Sequence, residues 1–366
     1  MTLLTGSKLL DIVERVERGE RLSREDGIRL MESNELLTIG YLADLVRKKK
    51  NGDYAYFIVN RHINHTNVCA NLCKLCAFGK KAEDPEAYTM SLDEVEAKAI
   101  ECKDQKISEV HIVGGLNPDL KLSYFEEMLR RVRRSLPDIV IQAFTAVEID
   151  YFAQTEEISV EEVLRRLMDA GLDSMPGGGA EIFSQRVRDK ICEKKISGDR
   201  WLKIHESAHK LGIRTNATML YGHVETMEER IDHLIKLREL QDQTGGFLAF
   251  IPLAFHPQNT ELASMNLSRT TGYEDLKVLA IARLMLDNFD HVKAYWVMIG
   301  PKLAQVSLAF GVDDIDGTVV EEKITNAAGA DAGQSLTKNH LVKMIKAAGR
   351  IPAERDTLYR ILEEGY

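Results

Sequence analysis

Three cysteines stand within eight residues of one another in the stretch HTNVCANLCKLCAFGK. Cys69, Cys73 and Cys76 form a C-x3-C-x2-C run, which is dense for a chain that has only five cysteines. Thiolates crowded into one loop are suited to holding a metal centre. A disulfide framework is not expected, because the chain is predicted to be cytoplasmic and its thiols would stay reduced.

Two kinds of metal centre fit three thiolates. A structural zinc ion takes four ligands, and His65 would be available as the fourth. A four-iron cluster normally takes four thiolates, so three would leave one iron open to bind a small molecule. The other cysteines, Cys102 and Cys192, fall in predicted helices far along the chain. The spacing leaves both centres open, and the missing fourth cysteine favours the cluster.

The C-x3-C-x2-C spacing resembles that of the radical S-adenosylmethionine (SAM) enzymes. The resemblance implies a 4Fe-4S cluster on the three cysteines, with SAM bound at the open iron and cleaved to methionine and a 5′-deoxyadenosyl radical. Phe78 follows the third cysteine by two residues, as is common in that superfamily. Gly114 and Gly115 stand where its glycine motif meets the methionine amino group, although Leu116 and Asn117 replace the usual acidic residue.

Longer stretches resemble the aminodeoxyfutalosine synthases, a family within that superfamily: RHINHTNVCANLCKLCAFGK, HIVGGLNPDL, AFTAVEI, GLDSMPGGGAEIF, TMLYGHVET and IPLAFHPQNT. The resemblance implies a transferase of menaquinone biosynthesis. In it the adenosyl radical adds to the enol ether of 3-[(1-carboxyvinyl)oxy]benzoate, the aryl group migrates and the carboxylate is lost, giving aminodeoxyfutalosine. Cyclic dehypoxanthine futalosine synthase and the radical SAM enzymes of deazaflavin cofactor synthesis stay open as alternatives.

The same resemblance implies the partners. SAM would be consumed as a co-substrate, and an electron donor such as flavodoxin or ferredoxin would reduce the cluster. A homodimer is a possible assembly.

Further site residues are predicted because they stand at the ends of predicted strands. Glu148 lies in the apolar run TAVEI, where an unpaired acid is costly, so we expect it to contact SAM or the substrate. Gly177 and Gly178 would let the backbone approach a ligand closely. A dianionic substrate needs hydrogen-bond donors, and the candidates are His65, Ser174, Tyr221, His223 and His256.

Two other patterns are not assigned to the site. Arg61 and His62 come earlier in the first strand and are expected to face away from it. The stretch HESAH at His205–His209 fits the H-E-x-x-H pattern of zinc proteases. It lies on a helix whose apolar stripe begins at Trp201 and whose polar side should face solvent, so the match is interpreted as coincidental.

Short strand-like runs alternate with amphipathic helices and must position these residues. The runs are YFIVNRHIN, EVHIVGG, IVIQAFTAVEI, LDSMPGG, RTNATMLYG, FLAFIPLAF and VKAYWVMIG. Capping boxes, Ser91 with Glu94, Ser159 with Glu162 and Thr226 with Glu229, indicate helix starts between them. Such alternation is typical of parallel strands with crossover helices. An eighth strand around Asp314–Val320 favours a TIM-like (β/α) barrel, whose chemistry sits where strands end.

The predicted organisation has three parts. Residues 1–52 are expected to form a helical cap, with Leu9, Ile12, Val13 and Val16 on one face. Residues 53–320 would form the barrel, and residues 321–366 a helical extension packed on it. The net charge of −9 argues against nucleic acid as the main partner. No apolar run is long enough to span a bilayer and no signal peptide pattern is present, so a cytoplasmic protein is predicted.

Overall fold

The N-terminal part of the chain is helical, as predicted. The computed structural model describes residues 6–101, 106–329 and 335–366, so Cys102 lies outside the described residues. The first helices are α1 (Leu10–Arg18), α2 (Arg24–Glu32) and α3 (Leu36–Asn51), and β1 (Tyr54–Ile58) follows them. Ser23 starts α2 through a capping box with Asp26. The predicted apolar face of Leu9, Ile12, Val13 and Val16 is buried.

A sheet of seven parallel strands, arranged in chain order, forms most of the barrel. Its strands are β2 (Asn60–Ile63), β3 (Glu109–Ile112), β4 (Val140–Ala143), β5 (Ser174–Met175), β6 (Arg214–Tyr221), β7 (Phe247–Ala254) and β8 (His291–Val292). The helices between them are α4 (Leu92–Ile100), α5 (Leu122–Ser135), α6 (Ala146–Thr155), α7 (Val160–Ala170), α8 (Gln185–Ile191), α9 (Gly198–Lys210), α10 (Met227–Thr244) and α11 (Gly272–Met285). The N-terminal helices pack on this outer layer, α2 against α10 and α11, and α3 against α11.

The predicted capping signals begin three of these helices. Ser91 and Thr226 form reciprocal capping boxes with Glu94 and Glu229 at the starts of α4 and α10. Ser159 caps α7 by accepting the backbone N–H of Glu162. These caps satisfy backbone donors that a helix start would otherwise leave unpaired.

The predicted eighth strand, β9 (Asp314–Gly317), closes the barrel. The backbone N–H of Ala294 donates to the Asp314 carbonyl at 2.8 Å, which joins the end of β8 to β9. On the other side, the N–H of His62 donates to the Val320 carbonyl at 3.0 Å. The fold is therefore a TIM-like α/β barrel.

Two of the predicted strands end early because a helix begins within the predicted run. The run IVIQAFTAVEI is a strand only to Ala143, because Thr145 and Glu148 form a capping box that begins α6. The run VKAYWVMIG is a strand only in β8 and then enters α12 (Trp296–Ile299) and α13 (Pro301–Ser307). A helical start signal decides the first case, so the prediction that Glu148 lies in a strand was wrong.

The C-terminal segment is only partly helical. It contains α14 (Ile324–Ala327) and α15 (Lys338–Ala347), and then β10 (Ile351–Arg355) and β11 (Ile361–Glu364). The prediction of a wholly helical extension was therefore wrong after Ala347. β10 runs parallel beside β1 and pairs antiparallel with β11 in a second sheet of order β11-β10-β1-β9. Pairing with a distant strand overrides local propensity here. The boundaries of the three predicted parts stay predictions.

Candidate active site

A cavity of about 340 Å³ lies inside the barrel and brings together many of the predicted site residues. The loops that follow β2, β3, β4 and β5 contribute to its wall, as expected where parallel strands end on one rim. Predicted residues that line it are Cys69, Cys73, Cys76, Phe78, Gly114, Gly115, Glu148, Gly177 and Gly178. The cavity thus contains all predicted cluster-binding and cofactor-binding positions.

The thiol loop is held by backbone hydrogen bonds. The N–H of Cys69 donates to the Lys80 carbonyl at 3.0 Å, and the N–H of Ala70 donates to the Leu116 carbonyl at 2.9 Å. The Gly79 N–H donates to the Cys76 sulfur at 3.4 Å. All three cysteines are free thiols of intermediate exposure. The loop is therefore fixed by its backbone while its thiols face the cavity.

This donor set fits a four-iron cluster. Three thiols line one cavity that has space beside them, and a cluster with three thiolates keeps one iron open toward such a space. Among the described residues, no group of three or more His, Cys, Asp and Glu side chains is placed to hold a single metal ion. Each thiolate of a cluster binds a different iron, so the thiols do not need to converge on one point.

His65 does not complete a zinc site. Its ring lies against Gly114, where an added Cβ would come within 2.4 Å of the His65 Cε1, and it contacts the Phe125 ring edge-on. Neither ring nitrogen has a hydrogen-bond partner among the described residues. Burial lowers the pKa of His65 to about 4, which keeps the ring neutral. His65 lies behind the glycine pair and does not line the cavity.

Glu148 links helix α6 to the glycine pair. Its Oε2 accepts the Thr145 N–H at 2.7 Å, and its Oε1 accepts the Gly114 N–H at 3.1 Å. Burial raises the pKa of Glu148 to about 7, against the lowering effect of the bonds from Thr145 and Gly114. The carboxyl group therefore fixes the Gly114 backbone and also faces the cavity.

The four predicted glycines are required by protein packing. An added Cβ would come within 2.2 Å of the Val68 carbonyl at Gly115 and within 2.7 Å of the Asn216 carbonyl at Gly177. At Gly178 the nearest atom would be the Thr145 Cγ2, at 2.9 Å. The glycines allow neighbouring loops to pack tightly while their backbone forms the cavity wall.

Four predicted substrate donors do not line the cavity. The Ser174 hydroxyl donates to the Arg214 carbonyl at 2.8 Å, and the Tyr221 hydroxyl donates to Asp275 Oδ1 at 2.7 Å. His223 Nδ1 lies 2.8 Å from Glu225 Oε2. His256 Nε2 lies 2.9 Å from the Met298 carbonyl. These contacts hold the strand ends and the loops after them in place.

Other polar residues line the cavity although the sequence did not point to them. His62 faces the cavity, contrary to expectation, whereas Arg61 points outward to Glu101 at 2.6 Å. Strand alternation explains this, because residues 60, 62 and 64 share one face. The other polar lining residues that the prediction missed include Glu109, His111, Gln142, Glu181, Lys195, Asn216, Lys293 and Asp316.

A buried ion pair stands beside the thiol loop. Lys195 Nζ contacts Glu181 Oε1 at 2.6 Å, and both side chains line the cavity. Burial favours the neutral acid, but Lys195 outweighs it and lowers the pKa of Glu181 below its usual value. The pair therefore presents both charges inside the cavity.

The H-E-x-x-H helix lies apart from this cavity. His205 is fully buried, with Nδ1 2.8 Å from Thr215 Oγ1, and His209 Nε2 is 2.9 Å from the same hydroxyl. Glu206 pairs with Lys203 and Lys210 on the outer surface. The two histidines bind a strand hydroxyl, so the expectation of a solvent-facing polar side was wrong for His205. Cys192 is likewise a buried residue, at the end of α8.

Residues 63–237 match the model of the radical SAM superfamily, and residues 244–365 match the CofH/MqnC C-terminal region. Aminodeoxyfutalosine synthase of Thermus thermophilus is 48% identical over 96% of this chain and 95% of its own. The Streptomyces coelicolor protein of that name is 44% identical over 97% and 94%. A 5-amino-6-(D-ribitylamino)uracil–L-tyrosine 4-hydroxyphenyl transferase of Methanosarcina mazei is 39% identical over 97% and 92%.

Solved structures share the fold at low sequence identity. Methylornithine synthase superimposes with a TM-score of 0.73 at 18% identity, covering 93% of this chain and 96% of its own. A maturase of the FeFe-hydrogenase, HydG, gives 0.75 at 13% identity, covering 94% and 75%. Within the described ranges, no helix is long and apolar enough to cross a membrane.

Proposed function

Because the chain belongs to the radical SAM superfamily, we propose that it is an aminodeoxyfutalosine synthase. The superfamily implies a 4Fe-4S cluster and SAM, and makes the protein an enzyme. The observation that carries the proposal is the 48% identity to the Thermus thermophilus enzyme of that name over nearly the whole of both chains.

Cys69, Cys73 and Cys76 are the proposed cluster ligands, supported by their position on one wall of the cavity. A reduced 4Fe-4S cluster held by these thiolates would supply the electron for cleavage of SAM to methionine and a 5′-deoxyadenosyl radical. The backbone at Gly114, Gly115, Gly177 and Gly178 forms the surface along which SAM would lie. Phe78 and Glu148, which both line the cavity, would orient it.

The proposed substrate is 3-[(1-carboxyvinyl)oxy]benzoate. Addition of the 5′-deoxyadenosyl radical to its alkene, migration of the aryl group and loss of the alkene-borne carboxylate as CO2•−, which carries away the unpaired electron, would give aminodeoxyfutalosine. The chain's part is to hold the alkene beside the radical and to keep water out of the barrel. Ser174, Tyr221, His223 and His256 are proposed to position the loops and strands, which their hydrogen bonds support.

A second candidate is transfer of the 4-hydroxyphenyl group of tyrosine to 5-amino-6-(D-ribitylamino)uracil. It is supported by the 39% identity to the Methanosarcina mazei enzyme and by the match of residues 244–365 to the CofH/MqnC region. The lower identity places it behind the first candidate.

One anaerobic assay separates these candidates. Protein with its reconstituted and reduced cluster is incubated with SAM and either 3-[(1-carboxyvinyl)oxy]benzoate or tyrosine with the uracil, and products are identified by mass spectrometry. An aminodeoxyfutalosine mass that disappears in Cys73→Ala supports the first proposal. A product that joins the uracil and tyrosine would support the second candidate function instead. Release of 5′-deoxyadenosine without either adduct rejects both substrates and keeps the superfamily chemistry.

A further inference from the structure

The cavity continues below the thiol loop to a second group of polar side chains. His62, His111 and Gln142 stand in register on β2, β3 and β4, and all three line the cavity. Each comes before the point where its strand ends, so the group lies deeper in the barrel than the thiols. Lys293 completes this group, which we call the barrel floor, because its N–H donates to the carbonyl of Phe250, well before the end of β7.

Lys293 has hydrogen-bonding capacity left over at the barrel floor. It is only 6% exposed, and its Nζ contacts Asp316 Oδ1 at 3.2 Å. An ammonium group has three N–H donors, and no other partner of this Nζ occurs among the described residues. Asp316 has a φ of +63°, in the left-handed region that aspartate adopts more readily than most residues other than glycine. Both members of this ion pair line the cavity.

His62 offers a second donor beside Lys293. Its ring stacks on His111, with centroids 4.5 Å apart and planes 13° from parallel. Asn60 Nδ2 donates to Glu109 at 3.1 Å and lies 3.5 Å from His62 Nε2. Because that amide donates, Nε2 accepts, and the neutral ring carries its proton on Nδ1. Within the described part of the chain, this Nδ1 has no hydrogen-bond partner.

The barrel floor is sealed from below by the C-terminal segment. Thr357 Oγ1 donates to Glu109 Oε2 at 2.6 Å, and Arg355 pairs with Asp314 at 2.6 Å. Lys293 and His62 both line the cavity, so their remaining donor capacity is available to a ligand that enters it. The acceptor that suits an ammonium and an imidazole N–H together is a carboxylate.

We propose that Lys293 Nζ and His62 Nδ1–H bind the carboxylate on the aromatic ring of the substrate. This inference rests on the proposed function, in which the substrate carries two carboxylates. The enol ether must meet the radical that forms beside the thiols. The ring carboxylate is at the other end of the molecule and points toward the barrel floor. His111 is a positioning residue, because its stacked ring fixes the plane of His62.

A binding cycle tests the assignment. Dissociation constants are measured by calorimetry on cluster-containing protein for 3-[(1-carboxyvinyl)oxy]benzoate and for 2-phenoxyacrylate, which lacks only the ring carboxylate. In the wild type, removing that carboxylate should weaken binding about 10- to 100-fold, as expected for a charge-assisted contact. Lys293→Gln should weaken binding of the full substrate by a similar factor. The same variant should bind 2-phenoxyacrylate within about twofold of wild type, because the lost contact is the same one.

Several outcomes overturn the assignment. If Lys293→Gln weakens binding of 2-phenoxyacrylate as much as it weakens binding of the full substrate, Lys293 does not contact the ring carboxylate. If Lys293→Gln binds the full substrate as tightly as wild type does, Lys293 contacts no part of the substrate. A wild type that forms aminodeoxyfutalosine confines either failure to this inference. A wild type that neither binds nor converts the substrate overturns the proposed function as well.

Two further variants guard against a folding effect. Lys293→Gln leaves Asp316 without its partner, so the double variant Lys293→Gln/Asp316→Asn removes both charges and should show the same substrate selectivity as Lys293→Gln. Lys236→Gln is the matched surface control, because Lys236 pairs with Asp199 at 2.8 Å outside the barrel. It should leave all dissociation constants unchanged.

Discussion

The two ends of the barrel cavity differ in the groups that form most of their walls, although the Glu181–Lys195 ion pair also lies beside the thiol loop. At the rim, thiols and glycine backbone face the cavity on loops held by backbone hydrogen bonds, such as Cys69 N–H to the Lys80 carbonyl. At the barrel floor, ionised and neutral side chains such as Lys293 and His62 are buried on or beside the strands. The rim therefore suits a cofactor that brings its own chemistry, and the floor suits recognition of a charged group.

Removing a thiol should have the largest effect. Cys73→Ala is expected to abolish product formation, because two thiolates cannot hold a four-iron cluster at the rim. Iron and sulfide content measured anaerobically should fall with activity. Cys192→Ala is the matched control, since that thiol is buried and does not line the cavity, and the variant should keep the full iron content. Full iron content in Cys73→Ala would contradict its assignment as a ligand.

Distorting the rim without removing a cluster ligand should have the second-largest effect on activity. In Gly115→Ala the new Cβ would meet the Val68 carbonyl at 2.2 Å, so the backbone at the start of the thiol loop must move. We expect activity to fall about 100-fold, as misplacement of about 1 Å can do. Gly272→Ala is the control, because its Cβ would find only ordinary contact with Leu303, at 3.4 Å. Equal activities of the two variants would show that the tight packing at the rim is unimportant.

The carboxyl group of Glu148, which caps helix α6 at the rim, should make the stability of the protein depend on pH. Burial raises the pKa of Glu148 from 4.5 to about 7, so the folded protein keeps a proton that the unfolded chain releases. Stability should therefore decrease as pH rises from about 4.5 to 7, by up to about 3 kcal/mol. Urea unfolding of wild type and Glu148→Gln across this range should show the stability difference between the two proteins change by this amount, because the other titrating groups are common to both.

Glu94 provides the matched control for that prediction. It caps α4 in the same way, but it is exposed, and its bonds to Ser91 lower its pKa. Its contribution should be present at neutral pH and lost as pH falls, which is the opposite direction. The same slope in Glu94→Gln and Glu148→Gln would contradict burial as the cause.

The smallest effect is expected on the barrel wall, away from both ends. Tyr221→Phe removes the hydroxyl bonded to Asp275 at 2.7 Å and should lower the free energy of unfolding by about 1–2 kcal/mol. Because Tyr221 does not line the cavity, kcat/KM should stay within about threefold. Tyr273→Phe, at an exposed site, should change neither quantity. A large loss of activity in Tyr221→Phe alone would restore it as a substrate contact.

Local signals were enough to predict the rim. The cysteine spacing, the glycine pairs and the alternation of strands with capped helices are all short-range patterns, and parallel topology places the loops after the strands on one side. The substrate donors predicted at the strand ends do not line the cavity, and Glu148 was placed in a strand because its apolar run resembled one. The T-x-x-E pattern of Thr145 and Glu148 was the signal that would have corrected it.

The barrel floor depends on information that no short stretch contains. His62 and Asn64 alternate in N-R-H-I-N, so their shared face was readable from a period of two. Only strand register and barrel closure determine which face points inward and that Lys293 lies beside it. The strand β10 was missed for a similar reason, since its partner β1 lies about 300 residues earlier.

The bond between Thr357 and Glu109 joins residues 248 positions apart and closes the bottom of the cavity. At synthesis rates of about 5–20 residues per second, Thr357 leaves the ribosome on the order of 10 to 50 s after Glu109. Until then β1 lacks its neighbour β10, and the buried charges of the floor face water. The first strands of the barrel therefore stay without part of their packing until the C-terminal segment has been synthesised.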